Sequence, residues 1–168
     1  MKLDEAKLQF VQSWGILGGQ WGINRTMAQV HALLLVAAKP LSTDEIMAEL
    51  SISRGNANMN IRELMDWKLI DKSIVAGDRK EYFAAEKDIW KVVTCITYQR
   101  KKRELDPMLK VLGQISDVEG NKNDADIKTF TTVVADIQKF AGQADKTLDT
   151  IIKAEENWFL GSFMKLFK

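Results

Sequence analysis

Two helix-start signals stand eleven residues apart, and two strand-like runs follow them; this order constrains the chain more than anything else in it. Leu41-Ser-Thr-Asp-Glu45 reads as a capping box, with Ser42 bonding the amide of Glu45 and Glu45 reaching back to Ser42. A short helix with Ile46, Met47 and Leu50 on its apolar side follows, then a turn at Ser51-Ile-Ser53. Ser53 can cap a second helix running to about Lys68. Leu69 to Val75 and Lys80 to Ala85 are β-prone, and Ala76-Gly-Asp-Arg79 between them supplies a turn.

Helix, turn, helix and hairpin is the order of a winged helix-turn-helix. Around it the chain reads as helical. Leu3 to Leu17 carries Phe10, Trp14, Leu17 and Trp21 on one stripe and ends in a glycine-rich segment, Gly15 to Gly22. No strand precedes that segment, so it is a helix end where glycine permits close approach rather than a nucleotide loop. Thr26 can cap the next helix, which Pro40 stops. Glu86 to Asp106 is helical, and Asp106-Pro107 reads as the start of a new helix that Gly120-Asn121 ends. The last helix is the most regular: Ile127, Phe130, Val134, Ile137, Ala141, Ala144, Leu148 and Ile151 alternate steps of three and four. The expected fold is mainly α with a small β-hairpin wing, a DNA-binding winged helix-turn-helix plus a helical dimerisation region. Three parts are expected: residues 1–25 as an N-terminal helix contributing to dimerisation, 26–86 as the winged helix, and 87–168 as a linker helix and dimerisation region.

The 53–68 helix carries Asn56, Asn58 and Asn60, although asparagine is a mediocre helix former. Ala57, Ile61, Leu64 and Met65 are read as its core face. Gly55, Asn56, Met59, Asn60 and Glu63 are read as outward, with Asn58 at the edge and Arg62 at the border. Outward asparagines suit adenine in the major groove, arginine suits guanine or phosphate, and Met59 can meet a thymine methyl. Arg79 and Lys80 lie at the wing tip, where an arginine can enter the minor groove.

These residues resemble MarR-type winged-helix transcriptional regulators, in particular their GbsR-like branch. The carrying segments are Phe10-Val-Gln-Ser-Trp-Gly15, Trp21 to Leu33, Ser53-Arg-Gly-Asn-Ala-Asn-Met-Asn-Ile-Arg62 and Gly77-Asp-Arg-Lys-Glu81. The resemblance implies a homodimer on an inverted-repeat operator in double-stranded DNA, with Ser53, Arg54, Asn56, Asn58 and Asn60 at the DNA and Arg79 in the wing. It also implies dimerisation through terminal helices, for which Phe10, Trp14, Ile127, Phe130, Val134, Ile137, Leu148, Ile151, Trp158 and Phe159 are the residues. Met59 departs from the arginine common in winged helices, and Lys68 stands where glycine is common. A repressor released by a small-molecule effector is the expected activity. Trp14, Trp21, Trp90 and Tyr98 are aromatic faces of the kind that cage a quaternary ammonium compound.

Charge excludes little, since 24 basic residues face 23 acidic ones. Residues 51–80 tilt basic, six against four, which is compatible with a phosphate-facing surface. The single cysteine, Cys95, fits a reducing cytoplasm, and the N-terminus does not read as a signal peptide. No apolar run is long enough to span a membrane. His31 lies among alanines and leucines without a metal-spaced or nucleophilic companion, so neither an enzyme nor a bound metal or cofactor is expected. A winged helix serving only as a protein-interaction module is the alternative.

Overall fold

The computed structural model describes residues 1–121 and 123–165, with side chains described through residue 153. It divides into two compact units, Met1–Val92 and Val93–Lys168. In the first, α1 (Leu3–Gln20) and α2 (Arg25–Val36) form a close helical hairpin. Asn24, not Thr26, caps α2, its Oδ1 accepting the Met27 amide at 3.1 Å. Asparagine outranks threonine as a cap, and placing it there starts the helix two residues earlier than expected. Gly15 and Gly18 are buried. A Cβ on Gly18 would stand 2.6 Å from the Ala28 Cβ, so glycine is what permits the approach to α2.

The helix-turn-helix follows as β1 (Leu41–Ser42), α3 (Thr43–Leu50) and α4 (Arg54–Asp66). Both expected caps form. The Ser42 Oγ accepts the Glu45 amide at 3.3 Å while the Ser42 amide donates to Glu45 Oε2 at 2.7 Å. Ser53 Oγ accepts the Asn56 amide at 3.3 Å. α4 ends two residues short of Lys68, which adopts φ +59°. Leu69 N–H then donates to Leu64 O, and Lys68 N–H to Met65 O, closing the helix with a Schellman motif around a left-handed lysine.

β2 (Ile70–Ser73) and β3 (Tyr82–Ala85) form the wing hairpin, and β1 adds to β3, giving the antiparallel order β1-β3-β2. The register pairs Ile70 with Ala85 and Ser73 with Tyr82, and Leu41 with Phe83. Ile70, Phe83 and Ala85 face the core with Val30, Leu34, Ile46, Ile61 and Leu64. Beyond the wing, Lys87 folds back onto the C-terminus of α2. Its Nζ donates to the carbonyls of Leu34, Leu35 and Ala37 at 2.7, 2.6 and 3.0 Å. These are among the carbonyls a helix end leaves without partners.

α5 (Ile89–Arg100) leads into a π-helical turn (Lys101–Leu105) and α6 (Asp106–Ile115). α6 starts at Asp106-Pro107 as expected, but without a break or a side-chain cap: Leu105 and Asp106 keep helical φ and ψ, and the Asp106 amide bonds Lys101 O. The wider π turn absorbs the proline that would otherwise clash with the preceding turn. α6 ends at Ile115, earlier than Gly120-Asn121, and α7 runs over Ala125–Lys165. In the second unit Leu112 packs with Val134 and Ala141, and Leu105 and Leu109 lie against them. Lys101 Nζ ties the helices together through Asp106, Asp145 and Asp149 at 3.3, 2.8 and 3.3 Å. The hydrogen bond it donates to Asp145, foremost, holds its ammonium above the usual lysine range. Trp158 and Phe159, expected in the dimer face, lie outside the residues whose side chains are described.

Candidate nucleic-acid interface

The buried stripe of α4 is Ala57, Asn60, Ile61 and Leu64. Asn60 therefore does not point outward, correcting its expected place on the reading face. At 100° per residue it sits only about 60° from Ala57 and about 40° from Leu64, inside the apolar stripe. It is 0% exposed. Its Nδ2 donates to the Asn56 carbonyl at 2.8 Å and to Asn56 Oδ1 at 2.7 Å, while its own Oδ1 is buried without a protein partner. Asn60 thus fixes the side chain of half-buried Asn56 instead of meeting a ligand.

The exposed strip of α4 consists of Arg54, Gly55, Met59, Arg62 and Asp66, flanked by half-buried Asn56, Asn58 and Glu63. Met59 is 55% exposed, an apolar contact offered at the centre of that strip. Gly55 has open space around the position of a Cβ, so no packing inside the chain calls for glycine there.

Asp78 shapes the wing. Its Oδ1 accepts the Lys80 amide at 2.9 Å and its Oδ2 accepts the Tyr82 hydroxyl at 2.8 Å, after Gly77 has turned the chain at φ +84°. The Lys80 amide, then the Tyr82 hydroxyl, hold the Asp78 carboxyl below the usual carboxylate range, and the same bond raises Tyr82. Arg79 is exposed at the tip, and Ile74 beside it is 97% exposed.

The helix and the wing meet at a residue the sequence reading used only as part of a cap. Asp44, in the first turn of α3, pairs through Oδ1 with Arg54 Nη2 at 2.5 Å and through Oδ2 with Lys80 Nζ at 3.6 Å. The bond from Arg54, above all, holds its carboxyl below the usual range. Ser42, Thr43, Asp44, Arg54, Asn58, Lys80 and Glu81 line a polar cleft of about 280 Å³ here, the Glu81 carboxylate being paired with Lys72. Chain separations of 10 and 36 residues hid this convergence from a reading of neighbours in sequence.

The aromatic residues expected at an effector divide differently. The Trp14 ring packs on Phe10 at 5.4 Å and on His31 at 6.4 Å, within the α1–α2 hairpin. Trp21 at the end of α1, and Trp90 and Tyr98 on α5, are exposed. His31 is buried, its Nε2 has no protein partner, and burial with the nearby Lys87 charge lowers its pKa to about 4. Among the described residues, no group of three His, Cys, Asp or Glu side chains is placed to hold a metal, and no helix is long and apolar enough to cross a membrane.

Residues 21–81, the span from the end of α1 through the wing tip, match the MarR family. The winged helix-turn-helix of this chain is thus similar to that family. A curated relative that the chain resembles is the HTH-type transcriptional repressor GbsR of Bacillus subtilis (strain 168), 27% identical over 85 residues. That alignment covers 51% of this chain and 47% of the repressor, so the chain spans about half the length of the relative it matches. Among solved structures, a transcriptional regulator superposes with a TM-score of 0.54 at 19% identity, covering 86% of this chain and 99% of that one. The matched family and the curated relative are transcriptional regulators, and the superposition shows a shared fold.

Proposed function

We propose that this MarR-type chain is a homodimeric repressor that binds an inverted-repeat operator in double-stranded DNA. In this reading α4 lies in the major groove and the wing follows the adjacent minor groove. The observation that carries it is the exposed strip of α4, with Arg54, Met59 and Arg62, joined through Asp44 to Lys80 of the wing. Arg62 supplies a donor fork for guanine or phosphate, Met59 an apolar contact for a thymine methyl, and Arg79 a cation for a narrow minor groove. Asn58 at the rim and Ser53 at the helix start are placed for backbone phosphates. Two copies related by a twofold axis would present two such helices to successive major grooves.

Selection of bound duplexes from a random pool, at low and high salt, tests this directly. Enrichment of a palindrome with half-sites about one helical turn apart is expected. Arg62→Ala should then relax preference at one position of each half-site, while Arg79→Ala should weaken all duplexes about equally. No enriched motif at either salt would defeat the reading and favour a winged helix that binds protein.

A further inference from the structure

We propose that Asp44 is a specificity-determining residue: in the free protein its carboxylate occupies the place of a DNA backbone phosphate, holding Arg54 and Lys80 until a duplex phosphate takes over both cations. The inference rests on the reading of α4 and the wing as the duplex-facing surface.

The geometry is that of one anion shared by two cations from different elements. Each carboxylate oxygen takes one partner, Arg54 from the start of α4 and Lys80 from the wing. All three side chains are about half exposed, so a polyanion can reach them. The cleft of about 280 Å³ around them exceeds the roughly 30 Å³ share of a water many times over, leaving room for a phosphate group. Asp44 makes no capping bond, and its place in the first turn of α3 gives it only a modest favourable interaction with the helix dipole. Ser42 and Glu45 make the α3 cap, and Ser53 makes the α4 cap. Exposed ion pairs of this kind contribute little to stability. What Asp44 does instead is remove one positive charge from the surface where phosphates must bind. A loosely docked duplex of arbitrary sequence leaves the carboxylate in place and meets its repulsion. A duplex held in register by base contacts displaces it.

Asp44→Asn is therefore expected to bind a random-sequence duplex about five- to tenfold more tightly than wild type. The slope of log affinity against log salt should steepen by about one, since one more phosphate is neutralised. The ratio of selected-operator to random-duplex affinity should fall, and Asp44→Glu, which keeps the charge, should behave as wild type. A readout independent of how the variants fold comes from the wild-type protein: the carboxyl resonance of Asp44, titrated by NMR, should move to a higher pKa when duplex is added. Unchanged or weaker random-duplex binding by folded Asp44→Asn, or an Asp44 titration that DNA leaves unmoved, overturns the inference alone. Wild-type protein that binds no duplex at any salt overturns the DNA reading and the inference together.

Discussion

His31 makes the fold sensitive to acid in a defined window. Its native pKa of about 4 lies below the 6.5 of an unfolded histidine, so the unfolded chain takes up the proton first as pH falls. Stability is complete above about pH 6.5 and is lost progressively down to about pH 4, by about 3 kcal/mol. Asp44, Glu45 and Asp78, whose carboxyls are held low, begin to lose their contributions only near the foot of that window, as pH falls through their ordinary values of 3.8 to 4.5. Urea denaturation followed between pH 7 and 4 should show the decline in wild type, and His31→Leu should flatten it. Lys68 carries a second residue-scale cost. A non-glycine residue at φ +59° has its Cβ crowded by the following carbonyl, and the Schellman turn requires that conformation. Lys68→Gly should raise stability by about 0.5–1 kcal/mol in the same measurement; a loss would show the left-handed lysine to be unstrained.

At the scale of elements, two adjacent glycines of α1 separate close packing from helix propensity. Gly18 faces the Ala28 Cβ, whereas nothing lies within 4 Å of a Cβ on Gly19. Gly18→Ala should destabilise the α1–α2 hairpin by about 1–3 kcal/mol, because neither backbone can yield without moving its helix. Gly19→Ala should stabilise by about 0.5–1 kcal/mol through helix propensity. Thermal unfolding of the two variants checks both signs. Equal effects would mean that the hairpin is held by something other than this approach. The end of α2 teaches a related lesson, since its cap comes from Lys87, more than 50 residues away from Leu34.

For the whole molecule, the apolar stripe of α7 is wider than α6 can cover. Val134 and Ala141, seven residues apart, are buried against Leu112. Phe130, Val133, Ile137 and Phe140, at steps of three and four, remain exposed, and Phe140 is 73% exposed. A seam with that spacing is what one helix offers another in a coiled coil, which supports the dimer reading. Ile137→Asp with Phe140→Asp should leave the helical signal intact and shift sedimentation from dimer to monomer. A dimer that survives both charges would move the interface elsewhere.

Much of this was legible in the sequence because it is local. Ser42 with Glu45, Ser53 with the Asn56 amide, and the turn at Gly77-Asp78 each need only neighbours within four residues, so spacing determined the helix-turn-helix and its wing. Asn60 belongs with these local matters too: its angle from Ala57 and Leu64 places it in the core, although the helical count in the sequence is read as turning it outward. Other features need distance in the chain to close in space. Gly18 against Ala28, Lys87 on the α2 carbonyls, and Asp44 between Arg54 and Lys80 are pairings set by how the elements pack. Backbone hydrogen bonding repeats within a few residues and leaves a periodic trace in sequence. Side-chain partnership across elements leaves none, and only the tertiary structure decided it.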